Sequence, residues 1–172
     1  MSRIRTAKLS DARNLAMLAE KTFRDTFSEQ NTRENMDAHC LASYHEEIQS
    51  REICSPEYVT IVAEADGQLV AYAQLRWGTA PSCVSAFVPG EIQRLYVDKR
   101  FHGKGIAHDL MENCLRILKE RDSDMAWLGV WEANPRAIAF YKKFNFNEVG
   151  DHVFPLGIDP QRDIIMTLSL EN

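Results

Sequence analysis

Glu91-Ile-Gln-Arg-Leu-Tyr-Val-Asp-Lys-Arg-Phe-His-Gly-Lys-Gly-Ile-Ala107 is the stretch whose reading decides the fold. Ile92 to Val97 is a strand-like run, and Arg100-Phe101-His102-Gly103-Lys104-Gly105 leads from it into an amphipathic helix that begins at Ile106. A glycine-containing loop between a strand and a helix gathers the unpaired N–H groups of the first helical turn at the positive end of the helix dipole. That arrangement predicts an anion site, in particular one for a phosphate-bearing ligand.

The spacing discriminates among phosphate loops. A P-loop needs G-x-x-x-x-G-K-[ST], whereas here Lys104 lies between two glycines and no Ser or Thr follows to hold magnesium. A nucleotide hydrolase built on this loop is therefore disfavoured. The dinucleotide fingerprint G-x-G-x-x-G begins with Gly103 and Gly105, but Asp109 and Leu110 continue a helix where its third glycine would stand. What remains is R-x-x-G-x-G followed by the small Ala107. An ordinary strand-to-helix turn would also use glycines, so the loop alone leaves its ligand open.

Working outward, Ile106, Leu110, Cys114 and Leu118 recur every four residues with Met111 and Leu115 beside them, while Glu112, Asn113, Arg116 and Lys119 take the wet face. Ala126 to Val130 reads as a strand, and Asn134-Pro135 opens a further helix with proline at its favoured first position. That helix is expected to end near Phe144, with Asn145 in the left-handed cap conformation. Upstream, Ile4 to Ala7 is a short strand, Ser10 or Asp11 caps a helix carrying Leu15, Met17, Leu18, Phe23 and Phe27, and Arg33 to Gln49 is one weakly periodic helix. Val59 to Ala63 and Gln68 to Trp77 form a hairpin around Asp66-Gly67. Gly78 to Gly90 is a loop, and Ile164 to Leu170 a final strand. The order β-α-α-β-β-β-α-β-α-β-β predicts an α/β layered domain spanning residues 1–172, without internal repeat or linker.

Composition bounds the function. Hydrophobic residues at 45% and charged residues at 26% suit a globular domain with its own core. A net charge of −5 argues against a general nucleic-acid binder and fits a cationic substrate. No apolar run approaches the ~18 residues of a membrane span, and Met1-Ser2-Arg3-Ile4 opens no signal peptide, so a cytoplasmic protein is expected. Cys40, Cys54, Cys83 and Cys114 have no C-x-x-C spacing, which suggests neither a metal site nor a redox pair; Cys114 falls on an apolar helix face and reads as an inert core thiol.

The R-x-x-G-x-G loop of Arg100 to Gly105 resembles the acetyl-CoA pyrophosphate loop of the GNAT superfamily of N-acetyltransferases. The segment Asn134, Ala137, Phe140, Tyr141 is similar to that family's N-x-x-A-x-x-[FY]-Y helix, and it follows the loop in the right order. Ala137, Phe140, Tyr141 and Phe144 share one helical face, so each aromatic could equally be core, and Asn134 could be only a cap. The family usually has glycine where Asn145 stands; asparagine tolerates a positive φ. A narrower resemblance covers roughly residues 59 to 170. Arg94-Leu-Tyr-Val97, Trp127-Leu-Gly-Val-Trp-Glu132 and His152-Val-Phe-Pro-Leu-Gly157, with Gln161, Asp163 and Met166, look like PaiA-type spermidine/spermine acetyltransferases; Thr22 to Phe27 is also similar.

The resemblance implies a single-domain GNAT fold, with a mixed central sheet of six or seven strands, helices on both faces and a splayed central strand pair. It implies acetyl-CoA as co-substrate, no metal, and direct acetyl transfer to a primary amine. Leu95, Tyr96 and Val97 would bind pantetheine as a neighbouring strand, and backbone N–H groups of His102, Gly103, Lys104, Gly105, Ile106 and Ala107 would cradle the pyrophosphate with charge from Arg100 and Lys104. Asn134 would bond the pantetheine and Lys143 the adenosine phosphate. Tyr141 would protonate the leaving thiolate. Glu91 is the expected base, acting through water, with Glu132 as its rival.

A small-molecule amine is the expected partner, a polyamine in particular, with Asp25 and Glu29 near the end of the first helix as groups for distal ammoniums; a homodimer remains open. The alternatives are an acetyltransferase for a protein N-terminus or an amino acid, and a non-catalytic acetyl-CoA-binding module. The latter would have no use for Tyr141.

Overall fold

The strand that leads into the glycine loop occupies the middle of a seven-stranded mixed sheet. In the computed structural model, which describes residues 2–171, the elements are β1 (Arg3–Thr6), α1 (Ala12–Phe27), α2 (Arg33–Ser43), α3 (Glu46–Cys54), β2 (Tyr58–Ala65), β3 (Gln68–Trp77), β4 (Pro89–Val97), α4 (Ile106–Glu120), β5 (Met125–Trp131), α5 (Pro135–Lys143), β6 (Asn147–Leu156) and β7 (Asp159–Ser169). The sheet order is β1-β2-β3-β4-β5-β7-β6, antiparallel throughout except for the β4–β5 pair. One apolar core lies between the sheet and α4 and α5, built on Leu110, Met111, Cys114 and Leu118. The other lies beneath α1 and α2, around Leu15, Phe23, Met36 and Tyr72. The expected single-domain α/β fold, with helices on both faces, is therefore present.

Local signals account for the elements that were legible. Asp66 and Gly67 both take positive φ (51° and 74°), the backbone of a two-residue hairpin turn. Asn134 caps α5 by accepting from the Ala137 N–H at 3.2 Å, and Asn145 adopts φ 65° beyond its end.

Four expectations need correction. The Arg33–Gln49 stretch is two helices, α2 and α3, because the chain turns inward at Tyr44, which is buried against Phe23, and restarts at an extended His45. Two helices with different buried faces explain the weak single periodicity. Asp11 does not cap α1 with its side chain; its carboxylate accepts from the Lys8 N–H at 2.7 Å and from both Arg5 terminal nitrogens, tying β1 to the helix. β4 starts at Pro89 rather than Ile92. β7 starts at Asp159 rather than Ile164.

The early start of β4 matters most. Pro89, Gly90 and Glu91 pair with Met125, Ala126 and Trp127, and these are the only register partners β4 and β5 share. Beyond them β4 continues along β3 as far as Val97 opposite Ala71, and β5 along β7 as far as Trp131 opposite Asp163. Gln93 helps to turn β4 away: Arg94 faces Gln74 while Ile92 faces Leu75, leaving Gln93 as a bulge. The two strands diverge, as a splayed pair should.

Gly90 holds the closed end of this wedge. A Cβ there would overlap the Leu118 side chain, which is fully buried, and would lie 3.0 Å from Ser123 Oγ. Gly90→Ala is expected to lower stability by about 1–3 kcal/mol. Urea denaturation should show this as a reduced midpoint with an unchanged slope; an unshifted midpoint would mean that Leu118 repacks freely.

Candidate active site

The wedge between β4 and β5 opens into a cavity of about 760 Å³ that passes from one face of the sheet to the other. On the α4/α5 side its walls include Leu95, Val97, Ile106, Asn134 and Tyr141; on the α1 side they include Phe27, Tyr96, Trp131, Phe154 and Asp163. Two differently furnished half-sites thus meet at the unpaired strand edges.

The α4 half is built for an anion. Gly103 and Gly105 adopt φ of 75° and 80°, a region costly for residues with a Cβ, and Gly105 is the N-cap of α4. This loop turns the first N–H groups of α4 toward the cavity, which His102, Gly103, Gly105, Ile106 and Ala107 all line. His102 Nε2 lies 2.8 Å from the Val97 carbonyl and Nδ1 lies 3.0 Å from Arg136 Nη1. The guanidinium can only donate, so Nδ1 accepts and the ring proton belongs on Nε2. Arg136 and Lys143 bring positive charge from α5.

The two cations expected at the loop are placed differently. Arg100 Nη2 donates to Asp98 Oδ2 at 2.8 Å, and the Arg100 backbone N–H donates to Asp98 Oδ1 at 3.0 Å. Asp98 is almost fully buried, and the Arg100 hydrogen bonds hold its carboxyl far below the usual carboxylate range. A buried carboxylate needs compensation, so Arg100 is committed to it. Lys104 sits over the Phe101 ring, 4.6 Å from its centroid. Neither side chain lines the cavity.

At the junction of the halves stands Tyr141, on the packed face of α5 against Phe140 and Phe146. Burial pushes its phenol well above the ordinary tyrosine value, so it stays protonated at neutral pH. Asn134 spends its side-chain oxygen on capping α5, which leaves its amide NH₂ as the donor for a ligand.

The α1 half is aromatic. Phe27 and Trp131 have ring centroids 5.1 Å apart, and Phe154 stands 5.4 Å from His39, which burial and then Arg94 push down to about 4. Sequence reasoning missed Trp131 and Phe154 as lining residues, because inward aromatics on strands look like core. It also missed Arg94, a cavity residue whose Nη1 donates to Glu52 at 3.0 Å.

The expected carboxylates are not where the lining needs them. Glu91 lies outside it and is paired with Arg76; burial nevertheless raises its carboxyl. Glu132 accepts from Arg162 at 2.9 Å and also lies outside. Asp25 lines the mouth but is held by Lys21 at 2.8 Å and Lys99 at 3.5 Å, and Glu29 is exposed beyond the lining. Asp163 is the carboxylate inside the chamber. Its place in the sequence pattern was visible; its role required the strand register.

A family model described as "Acetyltransferase (GNAT) family" matches residues 18–146. The chain belongs to this family. It is a GNAT-type N-acetyltransferase. An uncharacterized N-acetyltransferase of the pepI 3′ region of Lactobacillus delbrueckii subsp. lactis is 30% identical over 153 residues, 89% of this chain and 88% of that one. An N-alpha-acetyltransferase of Sulfolobus acidocaldarius is 33% identical over 96 residues, 51% of this chain and 55% of that one. Among solved structures, the PaiA N-acetyltransferase of Thermoplasma acidophilum in complex with coenzyme A superposes with a TM-score of 0.78 at 21% identity, covering 98% of this chain and 99% of that one. At that identity the superposition speaks for the GNAT fold alone.

The loop geometry of this GNAT enzyme predicts the effect of a single methyl group. At Gly105 nothing lies within 4 Å of an added Cβ, so Gly105→Ala tests conformation rather than crowding. Forcing alanine to φ 80° costs about 1–2 kcal/mol. Coenzyme A binding by calorimetry is expected to weaken roughly tenfold as the loop relaxes away from this backbone; unchanged affinity would show that the left-handed turn is not needed.

Proposed function

We propose that the enzyme transfers the acetyl group of acetyl-CoA to a primary amine by direct attack, without an acyl-enzyme. The observation that carries this reading is the pair of diverging strand edges that opens beside a free helix N-terminus. Pantetheine would run along Leu95, Tyr96 and Val97 as a surrogate strand, joined by the Asn134 amide. The pyrophosphate would sit on N–H groups from His102 to Ala107, with Arg136 and Lys143 near the adenosine phosphates. Coenzyme A in the Thermoplasma acidophilum fold neighbour supports this ligand. In the reaction the C–N bond forms, the C–S bond breaks, and Tyr141 supplies a proton to the departing thiolate and recovers one from the acylated nitrogen. Glu91 could act on the acceptor only from behind the lining, through an intermediary such as water or His152.

The finer reading is a polyamine acceptor, supported by the PaiA-like tail sequence, by the PaiA neighbour and by the acidic balance of the chain. One observation favours a second reading, a single amine such as a peptide N-terminus. Among the described residues, Asp163 is the one cavity carboxylate without a lysine or arginine partner, so the chamber offers a single free anionic contact. The N-alpha-acetyltransferase relative points the same way.

Thiol release from acetyl-CoA across spermidine, spermine, simple monoamines and free peptide N-termini separates these readings. A polyamine enzyme should prefer the first two by at least an order of magnitude in kcat/KM. Tyr141→Phe should lower kcat by roughly 10²-fold with little change in acetyl-CoA affinity. Full turnover in that variant would remove Tyr141 as the acid.

A further inference from the structure

We propose that Asp163 and His152 form the proton exit of the acceptor chamber, Asp163 taking the proton from the substrate ammonium and His152 carrying it to solvent. This rests on the amine-acetyltransferase reading and assigns it the base that neither Glu91 nor Glu132 supplies from within the lining.

The geometry comes from the register of three strands. Asp163 of β7 stands opposite Trp131 of β5 on one side and opposite His152 of β6 on the other. Its side chain is 13% exposed and lines the aromatic half of the cavity, whereas that of His152 is 38% exposed. His152 Nε2 lies 3.6 Å from Asp163 Oδ2, within ion-pair range but beyond hydrogen-bond length, so the proton crosses through one bridging water or a small approach of the ring. The pair therefore bridges the chamber and the outer surface of the sheet edge. Gly129 makes the room for it: a Cβ at that position would stand 3.2 Å from Asp163 Oδ2 and 3.3 Å from His152 Nε2. A side chain on β5 would push between the two partners.

Among the described residues, the charged and phenolic groups that face the pair are engaged elsewhere or held neutral, and Cys83 stands farther along β6, against Gly150. Tyr96 of β4 faces Asp163, but its phenol is raised well above the ordinary value by burial. Glu91 of β4 faces His152 and is itself occupied by Arg76. β5 has no charged residue. From α2, His39 reaches the chamber wall through Phe154 and is held neutral.

An alkyl ammonium near ~10.4 and a carboxyl near ~3.9 are about six pH units apart in water. Burial narrows the gap from both sides, lowering an ammonium and raising a carboxylic acid. Asp163 is already displaced upward by burial, opposed by His152. Handing the proton to His152 and solvent restores the carboxylate and draws the transfer forward. The balance is complete: R–NH₃⁺ loses one proton by this route, the neutral amine forms the C–N bond as C–S breaks, and the second nitrogen proton replaces the one that Tyr141 gives to the thiolate. The products are the amide, the free thiol and one proton.

Because activity needs Asp163 ionised, kcat/KM rises with pH through its titration. At the acid end a positively charged His152 favours the Asp163 carboxylate, and the same ring, once neutral, is the acceptor that passes the proton on; removing the imidazole therefore moves the Asp163 limb to higher pH. The test is the pH profile of kcat/KM for wild type, Asp163→Asn, His152→Gln and His152→Ala on the best amine of the panel, with acetyl-CoA affinity measured as a control for folding and donor binding. Asp163→Asn should lose about 10²- to 10³-fold in kcat/KM while binding acetyl-CoA within about twofold of wild type. His152→Gln should shift the acidic limb upward by about half to one pH unit, and added imidazole should restore part of the His152→Ala rate, which a merely structural histidine would not allow. An active wild type with Asp163→Asn within threefold of it would overturn the assignment of Asp163. An unmoved limb without imidazole rescue would overturn that of His152. A wild type that binds acetyl-CoA yet acetylates no amine would overturn the acetyltransferase reading and this one with it.

Discussion

Everything that could serve chemistry in this molecule depends on hydrogen bonds that β4 and β5 do not make with each other. Their register ends after three residue pairs, at Glu91 and Trp127. A sheet interior normally satisfies every backbone donor and acceptor, so facing edges left unpaired in the middle of seven strands demand a partner of another kind. The divergence also separates the two faces of the sheet from each other by nothing but an opening. On one side it meets the N-terminus of α4, and on the other an aromatic chamber. A ligand that is strand-like in its middle and anionic at one end satisfies both demands, which is why one geometric defect organises donor and acceptor together.

Buried charge arranges the rest. Asp98, at the end of β4, is almost fully buried and collects Arg100 and Lys21; Asp11 collects Arg5 and the Lys8 N–H. These carboxylates fix where the chain leaves a strand. In doing so they engage cations that their sequence positions offer to a ligand, although most of the Arg100 side chain stays exposed. Arg100 belongs to a structural pair, and the positive charge nearer the cavity comes from Arg136 and Lys143. Inside the chamber the arrangement is reversed: among the described residues Asp163 has no lysine or arginine partner, only His152 at 3.6 Å, and it lines the cavity.

What was readable in the chain was local. The left-handed positions at Asp66-Gly67, Gly103, Gly105 and Asn145 follow from residue types that tolerate positive φ. The Asn134-Pro135 helix start follows from capping chemistry, and α4 from a four-residue apolar recurrence. The break between α2 and α3 was not readable, because Tyr44 ends α2 through burial against a residue on another helix. The extra pairing of Pro89 to Glu91 was hidden for a similar reason: proline and glycine signal a loop, and only the neighbouring Leu118 and Ala126 make this segment a strand. Asp163 and His152 are eleven residues apart on a hairpin whose register, unbroken from Leu156 opposite Asp159 back to Gly150 opposite Ile165, is set at the Gly157-Ile158 turn and makes them face each other. A shift of one residue would have sent one of them to the opposite face.

By itself the sequence determined the family, the order of most elements and the conformation of the glycine loop, since each depends on residues within a turn or two of one another. Tertiary structure alone decided which carboxylate enters the chamber, which cations remain free and where the central sheet comes apart. Those outcomes depend on strand register and on the compensation of buried charge, and both are settled between residues that only folding brings together.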